Sequence, residues 1–131
     1  IKTGTLGDLE LSKMYCSSDL VLGQLSSHQR LTRTIPHKAF ECSFFGKPYL
    51  TSRMTGIKEL FEENTEILCF NPGDSQDLVS KIEWCFFNRK EISKIGKLMQ
   101  KKYRDNFSQE LITASFLRIL LAQTQQCSVY R

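Results

Sequence analysis

The chain has 131 residues, 40% of them hydrophobic, and a formal charge of +4. That length suits one ordinary domain and that apolar content suffices for a core, which excludes a disordered chain. No apolar run approaches the roughly 20 residues of a membrane-spanning helix, and cations split between residues 30–38 and 90–104 favour anionic ligands without calling for nucleic acid.

The first residue is Ile1, within a strand-like run over residues 1–6 and without a signal peptide, as expected of a piece of a longer protein. A helix over residues 9–16 follows, then a strand over 20–25 after Ser17, Ser18 and Asp19. A polar loop leads to a helix over 37–45, and the turn-like Gly46 and Lys47 open a third strand over 48–52. A helix over 57–63, a strand over 67–70 and a Pro72-Gly73-Asp74 turn come next. The tail reads as three helices over 75–88, 90–103 and 108–122, the last with Ser108 as its cap and an apolar stripe at Leu111, Leu117 and Leu121. Strands alternating with helices predict an α/β fold, a Rossmann-like parallel sheet of about four strands with flanking helices. Cys16, Cys42, Cys69, Cys85 and Cys127 are widely spaced among apolar neighbours, which points to free thiols in a reducing compartment. Neither they nor His28 and His37 have metal-ligand spacing, so no metal and no cofactor is expected.

Parallel sheets bind ligands beyond the carboxyl ends of their strands. There, Pro36 stands at the start of a helix whose first turn carries His37 and Lys38, where the macrodipole already disfavours a cation. An anion resting on the free backbone N–H groups, held by Lys38 and Arg33, would account for that placement. Glu41, one turn on, is placed to accept hydrogen bonds from ligand hydroxyls. The competing reading is a solvated ion pair between Lys38 and Glu41 worth a few tenths of a kcal/mol, with Arg30 and Arg33 only keeping a loop soluble.

The run from Pro36 through Lys38, Glu41, Gly46 and Pro48 to Ser52 resembles the "P-x-K-x-x-E-x-x-x-x-G-x-P-v-i-a-s" block of group 1 (family 4) glycosyltransferases. In register with it, Gly4, Leu11, Tyr15 and Asp19 are similar to the family's "G-x-x-x-x-x-x-L-x-x-x-y-x-x-a-D" segment. Thr55, Gly56, Glu59 and Leu60 resemble its "G-g-x-x-E-l" turn, and Pro72, Gly73, Asp74 and Leu78 its "p-g-D-x-x-x-L" turn. The resemblance covers nearly the whole chain. It implies part of the C-terminal, donor-binding domain of a GT-B enzyme that transfers a sugar from a nucleotide-sugar to an acceptor. On it, Glu41 matches the glutamate that holds ribose hydroxyls, and the segment of Thr34, Pro36, His37 and Lys38 matches the one that approaches donor phosphates and sugar. On the same resemblance Arg30, Thr55 and Gly56 are further candidates for donor binding. Eight residues before Glu41, where the family usually has another glutamate on the donor sugar, this chain has Arg33, so that contact does not carry over.

The resemblance further implies a missing N-terminal acceptor domain, no catalytic residue in this fragment, and no turnover by the fragment alone. It leaves the strand at 1–6 without its parental neighbours, so the sheet edge at residues 20–25 is expected to be covered by that strand rearranged or by an oligomer partner. A cytoplasmic location, with peripheral attachment to a membrane as an alternative, completes the expectation. A non-catalytic binding or assembly module is the second reading, supported by Arg33. A receiver-like domain ranks last, because no acidic cluster marks the end of the first strand.

Overall fold

The computed structural model describes residues 7–127, apart from the side chains of residue 120 and residues 122–127. The expected first strand, residues 1–6, lies outside the described residues. In chain order the elements are α1 (Asp8–Ser17), β1 (Val21–Leu22), a 3-10 turn (Gln29–Arg33), α2 (His37–Phe45), β2 (Tyr49–Ser52), α3 (Thr55–Leu60), β3 (Leu68–Phe70), α4 (Ser75–Phe87), α5 (Arg89–Asn106) and α6 (Gln109–Cys127). Among the described residues the sheet therefore has three strands rather than four. They run parallel in the order β1-β2-β3, with Val21 opposite Tyr49 and Leu50 opposite Leu68. The Val21 strand is an edge of this described sheet, and the strand expected to cover it lies outside the described residues.

Every residue of β2 and β3 is buried, as in a parallel strand covered on both faces. Side-chain alternation divides them between two cores. Tyr49 and Cys69 pack with Tyr15, Ala39, Cys42, Ile57 and Phe61 from α1, α2 and the α3 region, whereas Leu50, Leu68 and Phe70 pack with Cys85 of α4 and with Ile92 and Ile95 of α5. Further along α5, Met99 joins the first core, so this helix spans both. The C-terminal helix α6 starts as expected, with Ser108 Oγ accepting from the Leu111 N–H at 3.4 Å, and leaves Leu111, Ile112, Phe116 and Leu117 exposed.

Three helix ends show how the chain turns between helices and strands. Gly46 closes α2 at φ 65°, ψ 31°, its N–H donating to the Ser43 carbonyl and the next N–H, of Lys47, to that of Cys42 at 2.9 Å. This six-to-one and five-to-two pair is a Schellman ending, and it needs a residue content with positive φ. Pro36 stands at the N-cap, one residue before the helix proper, and not at the first helical position where its missing N–H is free of consequence. At α4 the Asp74 carboxylate accepts from the N–H groups of Gln76 and Asp77, both at 3.0 Å, after a turn in which Gly73 has φ 79°.

Candidate functional site

The loops that leave the carboxyl ends of the three strands lie side by side. Residues after β1 form the 3-10 turn, stabilised by the Leu31 N–H on the His28 carbonyl and by the Arg30 N–H on His28 Nδ1 at 3.2 Å. Its last residue, Arg33, is pressed by its backbone against Gly56 at the start of α3: a Cβ on Gly56 would meet the Arg33 carbonyl carbon at 2.9 Å. A Cβ on Gly73, in the loop after β3, would lie 3.5 Å from the Ser27 side chain. Arg53, just beyond β2, donates to Asn71 Oδ1, just beyond β3. Thus all three loops share one surface, and a glycine makes the closest approach.

On that surface Arg30, Arg33, Thr34, His37, Lys38 and Thr55 are exposed, Pro36 and Glu41 are half-buried, and Gly56 is buried beneath Arg33. The fold brings Arg33 and Gly56 together and fastens Thr34 Oγ1 to the Arg30 carbonyl at 3.1 Å. Arg30 and Arg33 border an open cleft of about 470 Å³ with His28, Gln29 and Thr32. The ion pair weighed between Lys38 and Glu41 does not form. Lys38 Nζ donates instead to the Leu22 carbonyl at 3.3 Å, at the end of β1, and Glu41 Oε2 accepts from the Tyr15 hydroxyl at 2.5 Å. The cation and the carboxylate are therefore held separately, each by another element of the fold.

Burial raises the Tyr15 phenol well above its ordinary range, and the hydrogen bond to Glu41 adds to that rise, so Tyr15 remains a neutral donor at any physiological pH. It also pushes the Cys42 and Cys69 thiols up to about 12, which leaves neither available as a nucleophilic thiolate at neutral pH. Next to the surface, Arg53 grips Glu63 through Nε at 3.0 Å and a second nitrogen at 2.6 Å, and Lys58 stands 3.8 Å from the same carboxylate.

These contacts hold the Glu63 carboxyl below its ordinary range, first through the Arg53 hydrogen bonds, against an opposing desolvation effect. A carboxylate whose folded pKa is depressed adds stability above its unfolded value, about 4.3, and loses it as pH falls through the lower folded value. With Arg53 partly exposed, that stability is about 1 kcal/mol. Unfolding followed from neutral pH down through the carboxylate range should show a steeper acid decline in the native protein than in Glu63→Gln, and parallel declines would contradict the assignment.

In the sequence Tyr15 belongs to a family motif with no place in the site, and nothing there links Arg53 to Glu63 or to Asn71. Tyr15 lies 26 residues from Glu41, so no local spacing signals their contact.

Comparison with known proteins adds three findings. The family described as "Glycosyl transferase-like" matches residues 2–117. Sulfoquinovosyl transferase SQD2 of Arabidopsis thaliana is 31% identical over 103 residues, 76% of this chain and 19% of that protein. Among solved structures, Anabaena Alr3699/HepE in complex with UDP superposes with a TM-score of 0.75 at 22% identity, over 84% of this chain and 29% of its own. It has also been solved with UDP-glucose. Sucrose-phosphate synthase from Thermosynechococcus elongatus superposes with a TM-score of 0.76 at 18% identity, over 92% of this chain and 30% of its own. These likenesses show that the parallel α/β arrangement is that of GT-B proteins, and the chain spans about a fifth of the curated relative and less than a third of the solved ones.

Proposed function

Because this chain belongs to the glycosyl transferase-like family, we propose that it is the nucleotide-sugar-binding part of a glycosyltransferase, one that passes a sugar from a nucleotide donor to an acceptor. The observation that carries this reading is the seating of the Arg33 segment on Gly56, with a separately held carboxylate, Glu41, one turn into α2. The start of α2 offers backbone N–H groups without helical partners, and the positive end of its dipole favours an anion. In this reading the donor diphosphate lies over residues 34–38 with Lys38, Arg33 and Arg30 around it, needing no metal. The ribose hydroxyls reach Glu41, and Thr55 and Gly56 close the far side.

The solved complexes of Alr3699/HepE with UDP and UDP-glucose support a uracil nucleotide as the first ligand to test. This chain is a single partial domain in the proposal, and an N-terminal acceptor domain supplies the opposite wall of the cleft and the transfer chemistry. Free Cys16, Cys42, Cys69 and Cys85 fit a reducing, cytoplasmic setting, including the cytoplasmic face of a membrane. The edge strand β1 is where further strands of the same protein, or a second copy, would pair.

Arg33 favours the second reading, a module of the same fold that binds without transferring, because a cation stands where the resemblance leads one to expect a carboxylate on the sugar. Calorimetric titration of the full-length protein with UDP-glucose and GDP-sugars, followed by an assay for sugar release, separates the two. Binding with release supports the transferase, binding alone supports the module, and no binding overturns both.

A further inference from the structure

We propose that Tyr15 is a positioning residue of this site, its hydroxyl fixing the Glu41 carboxylate so that the other oxygen faces the ligand's vicinal hydroxyls. The inference rests on the reading of Glu41 given above and adds a residue from a different helix to it. Tyr15 is only 6% exposed, and its ring stacks on Phe45 with centroids 5.1 Å apart and planes 10° from parallel. Phe45 lies four residues after Glu41 on α2, so one helix face supplies both the platform for the ring and the acceptor for its hydroxyl. Tyr15 cannot swing away without unstacking, and it donates to Oε2 at 2.5 Å. Among the described residues Glu41 makes no other hydrogen bond, so Oε1 and the second lone pair of Oε2 are left to accept.

Why such a brace matters follows from the side chain it holds. Glutamate has three rotatable torsions and, on a half-exposed helix face, loses more rotamer freedom than most side chains when it is fixed. A ligand that had to order Glu41 itself would bind more weakly. With Tyr15 in place the ordering is part of folding, and the carboxylate meets a diol in a geometry already set. Tyr15 acts through Glu41 and does not touch the ligand.

The test compares UDP with 2′,3′-dideoxy-UDP, which lacks both ribose hydroxyls, in the full-length protein. The measured quantity is the ratio of their affinities. Glu41→Ala should collapse the ratio toward one. Tyr15→Phe keeps the stacked ring and removes only the hydroxyl, and it should lower UDP affinity about tenfold, the size expected for ordering one glutamate side chain, while leaving dideoxy-UDP unchanged. In the Glu41→Ala background Tyr15→Phe should have no further effect on either ligand. A general loosening of α1 would instead weaken both ligands in both backgrounds, and that result overturns the inference. So does a Tyr15→Phe protein that keeps the native ratio while Glu41→Ala loses it, an outcome that leaves the function of Glu41 intact. If Glu41→Ala itself keeps the native ratio, the ribose assignment falls and the role of Tyr15 falls with it.

Discussion

Replacing Gly96 with valine should lower the unfolding midpoint of this domain by roughly 10 °C, corresponding to about 3 kcal/mol. Gly96 is buried inside α5, where glycine is about 1 kcal/mol worse than alanine for the helix itself. Propensity alone would therefore make a substitution stabilising. Close approach decides the sign the other way, because a Cβ at this position would sit 2.5 Å from the Gly46 carbonyl oxygen and 2.9 Å from the Pro48 nitrogen. Both are backbone atoms, and neither can rotate aside as a flexible side-chain tip would. Gly46 is itself fixed by the Schellman ending of α2, and Gln100 on the next turn of α5 ties the two helices by donating to the Phe44 carbonyl at 2.8 Å. Valine would push α5 off the lead into β2 and open both cores, since Ile92 and Ile95 serve one and Met99 the other. Thermal unfolding of the two proteins is the check, and an unchanged midpoint would mean that α5 does not pack this closely.

Replacing Glu41 with alanine should weaken UDP binding by about tenfold to a hundredfold, the range expected for losing hydrogen bonds to a charged acceptor. The fold should survive, since Glu41 is only half-buried, although the Tyr15 hydroxyl loses its acceptor. That loss costs about 1 kcal/mol or more in stability, because a nearly buried donor is left unpaired. Binding and stability are thus expected to fall together but for separable reasons. Titration of UDP at a temperature well below both unfolding midpoints isolates the first. Equal affinities would remove Glu41 from the site.

Which parts of this molecule were legible in sequence depends on the range of the interactions that set them. Helix α2 lies at its expected bounds because Pro36 and Gly46 mark its ends locally. Strands β2 and β3 lie within one residue of their expected bounds, β2 because the turn at Gly46 and Lys47 marks where it opens and β3 because it is a short apolar run. The first described strand is shorter than the expected 20–25. Its pairing continues as single hydrogen bonds, from the Gly23 N–H to the Leu50 carbonyl at 2.8 Å and from the Ser52 N–H to the Gln24 carbonyl at 2.9 Å. Gly23 belongs there because any Cβ would strike Tyr49 and lie 2.6 Å from Thr51 Oγ1. The helix expected over 57–63 begins earlier, at Thr55, and ends at Leu60, before the partner of Arg53 at Glu63.

The candidate site was legible as a segment and not as an assembly. Charge, Pro36 and the family resemblance singled out Arg33 to Glu41, all within one stretch of chain. The 3-10 turn that delivers Arg33 depends on its backbone meeting Gly56, 23 residues on, and the carboxylate of Glu41 is held from α1. Neither contact has a periodicity or a spacing that sequence reading detects.

A crystal structure of the full-length protein with UDP tests the central claim most directly. The account predicts the diphosphate over residues 34–38, the ribose hydroxyls on Glu41, and the Tyr15 hydroxyl still on Oε2. UDP seated elsewhere, as in the groove of about 720 Å³ between α4 and α5 lined by Asp77, Lys81, Trp84, Glu91 and Lys94, with residues 33–41 untouched, would contradict it.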